Sequence, residues 1–261
     1  MQIALLLVSK IKDIIMTFRA ILLKKENDQF SAGCGQIAME ELRGQPGNTL
    51  IKVDYSTLNY KDALAITNSA PVVRQWPMVA GIDCAGTVVE SADINFKPGQ
   101  KVILNGWGVG ETHWGCLAEY VYIPSQWLIE LPQQMTSWQA MALGTAGYTA
   151  ALCVLKIVSL GIKPADGKVL VSGATGGVGS AAVVLLTKMG FEVTASTGKI
   201  SEEVYLKKLG ATEVIDRNAL SAPGKPLQKE QWVAAVDTVG SHTLANICAQ
   251  TRYGGVVAAC G

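Results

Sequence analysis

Hydrophobic and polar positions follow one rhythm up to about residue 132 and another beyond it. Residues 50–56, Leu-Ile-Lys-Val-Asp-Tyr-Ser, alternate as a strand with one buried face does. Runs at 81–90, 101–105 and 117–123 predict further strands, and the first strand is expected to begin just after Met16. Glycine and proline punctuate this β-rich half at Pro77, Gly81, Pro98-Gly99 and residues 106–110. From 138 to 160 the pattern turns helical, with interruptions expected at Gly144 and Gly147. Apolar strand starts then recur at Val169, Val193, Val214, Trp232 and Val256, with a helix predicted over 180–188. Strand–helix alternation predicts an α/β, doubly wound parallel sheet. The change of rhythm predicts two domains, 1–134 and 135–261, without repeats or a low-complexity linker.

The strand opening at Val169 runs straight into a glycine cluster, Val-Leu-Val-Ser-Gly-Ala-Thr-Gly-Gly-Val-Gly over residues 169–179. Ala174-x-Gly176-x-x-Gly179 fills the positions of the dinucleotide fingerprint, with alanine at the first glycine. Small residues there permit a tight turn and close approach to a pyrophosphate, and Gly179 lets the helix pack against the strand. The helix would point its positive end at the phosphates. The cofactor candidates are therefore Ala174, Thr175, Gly176, Gly177, Val178 and Gly179; the competing reading is a glycine-closed βα turn with no ligand. NAD-selective sites place a carboxylate at the tip of the second strand. Here that strand ends Ala195-Ser196-Thr197-Gly198-Lys199. The hydroxyls of Ser196 and Thr197 and the Lys199 ammonium suit a 2′-phosphate, and Arg217, after the next strand, is placed to close over it. NADP(H) is the expected cofactor, the alternative being that Lys199 and Arg217 are solvated surface cations.

Composition narrows the classes. Hydrophobic residues make up 49% of the 261 positions and charged ones 16%, enough for a sizeable core. A formal net charge of +1 with no basic run leaves no electrostatic footprint for nucleic acid. The six cysteines (34, 84, 116, 153, 248, 260) form no C-x-x-C pair, which fits reduced thiols in the cytoplasm rather than a disulfide framework. His113 and His242 are the only histidines, too few for a multi-histidine metal site. The opening run Met-Gln-Ile-Ala-Leu-Leu-Leu-Val is too short to span a membrane and lacks the flanks of a signal peptide, and no transmembrane segment is expected elsewhere. Met16 reads as a more natural start, with residues 1–15 a non-native extension. At the other end the chain stops after what counts as the fifth strand of the sheet, so either an unusually small fold or a C-terminally truncated product is expected.

Four segments in order, Gly81-Ile-Asp-Cys-Ala-Gly-Thr-Val-Val89, Gly115-Cys-Leu-Ala-Glu-Tyr120, Gly144-Thr-Ala-Gly-Tyr-Thr-Ala150 and Val236-Asp-Thr-Val-Gly240, resemble the medium-chain dehydrogenase/reductase superfamily in its zinc-free, quinone-reductase-like part. Leu58-Asn-Tyr-Lys-Asp-Ala-Leu-Ala-Ile66 and Asn105-Gly-Trp-Gly-Val-Gly-Glu-Thr-His-Trp114 bring the likeness nearest to bacterial NADPH-dependent acrylyl-CoA reductases. The resemblance runs from about Thr17 to the last residue. It implies a β-rich GroES-like catalytic domain followed by a Rossmann NADP-binding domain, cofactor contacts from Tyr60, Thr145, Thr238 and Val239, and a homodimer paired through the nucleotide sheet's edge.

Zinc-dependent relatives place a Cys early in the catalytic domain and a Gly-His-Glu later. Here the segments read Asn59-Tyr60-Lys61-Asp62 and Gly81-Ile82-Asp83; isoleucine ligates no metal, so none is expected. Reduction of an activated C=C needs no Lewis acid: hydride adds to the β-carbon, and hydrogen-bond donors stabilise the enolate oxygen. Tyr60 is the first candidate donor and Asn59 the second, with Lys61 and Asp62 expected to pair and fix the loop. The competing reading is an ordinary helix entry with Asn or Asp as cap and Tyr in the core. Residues 106–114 form either a cleft wall or a surface turn, with His113 a structural hydrogen-bonder. The leading function is NADPH-dependent reduction of acrylyl-CoA or a similar short enoyl thioester. Its rivals are a quinone or 2-alkenal reductase and a catalytically silent NADPH-binding protein. Arg74 is a candidate contact for CoA phosphates.

Overall fold

The computed structural model describes residues 16–261; the expected extension 1–15 lies outside the described residues. The chain forms two compact units dividing between Thr145 and Ala146.

The first unit is antiparallel. β1 (Thr17–Glu26) and β2 (Gln29–Ala38) form a ten-residue hairpin. Asn27 and Asp28 both take positive φ, 47° and 61°, the conformation a two-residue hairpin turn demands. After α1 (Met39–Arg43) come β3 (Thr49–Ser56), α2 (Tyr60–Thr67), β4 (Met78–Val79), β5 (Asp83–Ser91), β6 (Lys101–Asn105), β7 (Tyr120–Ile123) and β8 (Ile129–Glu130). Their sheets run β2-β1-β4 and β7-β3-β5-β6-β8. Ile51, Cys84, Val88, Leu104 and Val121 interleave into one buried cluster, while Phe18, Leu23, Leu50 and Met78 build another.

α3 (Ser137–Ser159) spans the division between the units. Its backbone leaves helical geometry at Gly144, with φ 51° and ψ −160°. A side chain there would put Cβ 2.7 Å from Thr57 Cγ2 and 3.0 Å from Asp83 Oδ2, so only glycine fits. Gly147, also expected to interrupt, stays helical. By length and apolarity α3 could cross a membrane, which the sequence reading did not anticipate. One side of it packs inward, Ala140 and Met141 in the first unit and Ala150, Val154 and Ile157 in the second, while Trp138, Leu143, Leu152 and Leu155 are exposed.

The second unit holds β9 (Val169–Val171), α4 (Gly177–Lys188), β10 (Val193–Thr197), α5 (Glu203–Leu209), β11 (Glu213–Asp216), α6 (Asn218–Ser221), β12 (Trp232–Asp237), α7 (Ser241–Gln250) and β13 (Thr251–Ala259). Every pairing is parallel, in the order β11-β10-β9-β12-β13. Val169 and Val171 face the core containing α4, while Leu170 faces Trp232 and Ile247 on the other side. This two-sided burial explains why these strands read as continuous apolar runs. Strand order reverses between β9 and β12, so the crevice at their carboxyl ends is where a doubly wound sheet binds its ligand.

Candidate active site

At the carboxyl end of β9 the chain turns at Gly173, φ 58°, and enters α4. Ala174, at the first fingerprint position, is buried, and its N–H donates to the Ser196 carbonyl at 3.0 Å. A Cβ on Gly179 would lie 2.3 Å from the Gly173 carbonyl oxygen and 2.7 Å from Ala174 Cα. The helix therefore approaches the strand as the fingerprint requires. Gly176 and Gly177 are exposed at the start of a twelve-residue helix, whose first N–H groups have no partner within the helix. Thr175 Oγ1 lies 3.1 Å from Thr197 Oγ1, and Val178 is half-buried.

Opposite this turn stands the one after β12. The buried Asp237 accepts hydrogen bonds from Ser172 Oγ (2.6 Å) and the Gly240 N–H (2.8 Å). Thr238 donates its N–H to Ser172 Oγ and its hydroxyl to the Ser172 carbonyl, both at 2.9 Å. A Cβ on Gly173 would meet Thr238 Oγ1 at 2.2 Å, so the two turns interlock. Val239 projects into solvent. Gly173 and Asp237 were not singled out from sequence. The available signal for Asp237 was a carboxylate ending an apolar strand, where burial requires donors.

The tip of β10 separates the candidate residues for a 2′-phosphate. Ser196 and Thr197 are each only 1% exposed, and the Thr197 hydroxyl accepts the Lys199 N–H at 3.0 Å. The Thr197 hydroxyl thus shapes the turn from inside. Lys199 and Arg217 remain in solvent. Arg217 lies across Gly198: a Cβ there would fall 2.8 Å from Cδ and 2.9 Å from Nε of the arginine. No ion pair is formed by either cation among the described residues. The cradle and its cations thus fit a nucleotide carrying an extra phosphate.

In the first unit Asn59 caps α2 in a capping box. Its side chain accepts the Asp62 N–H, and Asp62 accepts the Asn59 N–H at 2.8 Å. Asp62 also takes the Ile82 N–H at 3.1 Å. Burial pushes the Asp62 carboxyl above its usual range against these hydrogen bonds, with nearby Asp83 adding to the rise. The expected Lys61–Asp62 pair does not form, because Asp62 turns inward to cap; Lys61 pairs with Glu111 at 2.8 Å. Tyr60, the first residue of α2, is 81% exposed and not in the core. The Asn59 amide donates to Asp83 Oδ2 at 2.9 Å, and Asp83 also binds Asn105 and Thr145. Asp83 is a further residue that sequence reasoning missed, although a carboxylate inside the apolar run Gly-Ile-Asp-Cys-Ala was a readable sign.

The loop before β7 is a packed turn. His113 is buried, with its ring nitrogens 2.9 Å from the Trp114 carbonyl and 2.6 Å from that of Pro46. Trp107 stacks on Trp127 with centroids 6.1 Å apart. Arg74 is exposed, and its N–H donates to the Glu111 carbonyl.

The residues present do not compose a zinc site. Ile82 offers no ligand, Asp83 is spent on amide and hydroxyl donors, and no group of three or more His, Cys, Asp or Glu is placed to hold a metal among the described residues.

Comparison with known proteins agrees with this architecture. The alcohol dehydrogenase GroES-like domain matches residues 45–133, and the zinc-binding dehydrogenase domain matches 177–261. The chain is 47% identical to the probable acrylyl-CoA reductase AcuI of Escherichia coli, over 93% of this chain and 74% of that protein. It superposes on the YhdH oxidoreductase of Salmonella enterica in complex with NADP with a TM-score of 0.90, at 47% identity, over 94% of this chain and 74% of that one. A third relative, the putative quinone oxidoreductase YhfP of Bacillus subtilis, is 45% identical over 94% of this chain and 74% of its own length. Its structure with NAD bound covers the same shares and gives a TM-score of 0.88. With a GroES-like domain, a parallel nucleotide-binding sheet in the order 3-2-1-4-5 and relatives of this identity, the chain belongs to the medium-chain dehydrogenase/reductase superfamily of oxidoreductases.

Proposed function

We propose that this chain reduces the activated C=C bond of a short enoyl thioester, acrylyl-CoA first, with NADPH as reductant. The observation that carries the reading is the 47% identity to a probable acrylyl-CoA reductase over 93% of the chain, with the fingerprint turn intact. Likeness to both an NADP-bound and an NAD-bound structure leaves the choice of cofactor to the tip of β10. Lys199 and Arg217 stand there without a carboxylate partner among the described residues, and favour the 2′-phosphate. Gly176, Gly177 and the N-terminus of α4 would hold the pyrophosphate, with Thr175, Val178 and the turn of Thr238 and Val239 lining the crevice of the second unit.

NADPH, when bound, supplies the hydride, and reduction leaves negative charge on the thioester oxygen. The exposed hydroxyl of Tyr60 and the amide of Asn59 are neutral donors for that charge. An unperturbed phenol keeps its proton at neutral pH. Thr145 is assigned to the same cluster as a cofactor contact. The enzyme acts as a cytoplasmic protein, and as a homodimer in the manner of its superfamily.

Steady-state rates with NADPH on acrylyl-CoA, crotonyl-CoA and a quinone test this reading. Acrylyl-CoA is expected to give the highest kcat/KM. A higher value for the quinone would transfer the assignment to quinone reduction, and no turnover of any acceptor would leave an NADPH-binding protein.

A further inference from the structure

Asp83 is completely buried and has no cationic partner among the described residues. Its carboxylate is held by neutral donors from three separate segments. Oδ2 accepts from the Asn59 amide at 2.9 Å and the Thr145 N–H at 2.8 Å; Oδ1 accepts from the Asn105 amide at 3.0 Å and the Thr145 hydroxyl. A buried charge is expensive, and a merely structural cross-link between these segments could be neutral. The charge does have a consequence that a neutral link lacks. It accepts only, so every group bound to it must donate.

That constraint fixes the polarity of two residues already assigned to the reaction. The Asn59 oxygen accepts the Asp62 N–H and an amide hydrogen goes to Asp83, so the amide cannot flip and its nitrogen stays the donor side. Thr145 has a single hydroxyl proton, and Asp83 takes it; toward any other partner that oxygen presents lone pairs. The break in α3 at Gly144 sets Thr145 in reach of Asp83 with both its N–H and its hydroxyl.

We propose that Asp83 is a positioning residue for the reduction: its buried carboxylate holds the Asn59 amide as a donor and the Thr145 hydroxyl as an acceptor toward bound ligand. The proposal rests on the reading above, that this cluster serves NADPH-dependent enoyl reduction. An enoyl thioester carbonyl, itself only an acceptor, then meets Asn59 or Tyr60 and is refused by Thr145.

The test is Asp83→Asn, nearly the same shape, which replaces one acceptor oxygen with a donor and lets Thr145 Oγ1 and the Asn105 amide reverse. With acrylyl-CoA and NADPH, kcat should fall about a hundredfold with KM changed much less, the penalty expected for misaligned reacting groups. The same substitution in an Asn59→Ala/Thr145→Val background should change kcat by no more than about threefold, because the residues through which it acts are gone. An unchanged kcat for Asp83→Asn, or an equal loss in both backgrounds, overturns the proposal. If Asp83→Asn lacks a cooperative thermal transition, the single variants Asn59→Ala and Thr145→Val decide. Losses smaller in combination than their product support a shared anchor, and losses that multiply overturn it. A parent chain without enoyl reduction would instead refute the functional reading on which the proposal stands.

Discussion

Replacing Arg217 with alanine removes a guanidinium that lies over Gly198 at the tip of β10, in solvent and without an ion-pair partner among the described residues. Little packing is lost, so the thermal midpoint should barely move. The effect on the nucleotide should be larger. A hydrogen bond to a charged group contributes about 1.5–3 kcal/mol, and roughly 1.4 kcal/mol corresponds to tenfold in affinity. NADPH should therefore bind about 10- to 150-fold more weakly to Arg217→Ala. NADH has no 2′-phosphate and should bind the parent and the variant alike. Calorimetric titration of both cofactors into both proteins measures the difference directly. The NADPH affinity of the parent should also weaken more steeply with salt than that of the variant, since one phosphate-paired charge has gone. Equal losses for NADPH and NADH would show that Arg217 supports the fold of the turn. No loss for either would place the 2′-phosphate elsewhere.

Further outcomes follow from the first unit and from its ligand chemistry. Tyr60→Phe should lower turnover about a hundredfold, the worth of one oxyanion donor, while leaving stability unchanged because the ring is exposed; unchanged turnover would move the donor to Asn59. The Asp62 carboxyl is pushed up from 3.8 in the folded chain, so its ionisation erodes stability as pH rises from that value. The stability of Asp62→Asn relative to the parent should accordingly increase from acid toward neutral pH in paired urea melts, and a constant or falling difference would contradict the assignment. Elemental analysis of the purified protein should find no stoichiometric zinc, since Ile82 and the donors around Asp83 leave no ligand set; one zinc per chain would overturn that conclusion.

The parts legible in sequence are those where a single periodicity decides. Continuous apolar runs at Val169, Val193 and Trp232 announced strands buried on both faces, and the fingerprint glycines announced the turn between β9 and α4. The hairpin of β1 and β2 was harder to see, because Gln29–Ala38 is largely exposed and its alternation is weak. Its turn residues, Asn27 and Asp28, were the usable signal. Side-chain identity at the site was visible, but side-chain direction was not. Ser196 and Thr197 have the chemistry of phosphate ligands, yet both are buried, the Thr197 hydroxyl against Thr175 and the Lys199 N–H. Lys61 and Asp62 are adjacent in sequence, yet successive positions at a helix start point apart: one reaches Glu111 and the other caps. Asp83 became meaningful only when Asn59, Asn105 and Thr145 met around it, contacts that no local window contains.

The central claim is that this chain delivers hydride from NADPH to the β-carbon of an enoyl thioester. Single-turnover reduction of acrylyl-CoA with NADPH deuterated at either the R or the S position of nicotinamide C4, followed by mass spectrometry and NMR of the product, measures it most directly. One of the two cofactors should place a single deuterium on the β-carbon of propionyl-CoA, and the other should place none. Deuterium on the α-carbon, or unlabelled product from both cofactors, would contradict the account.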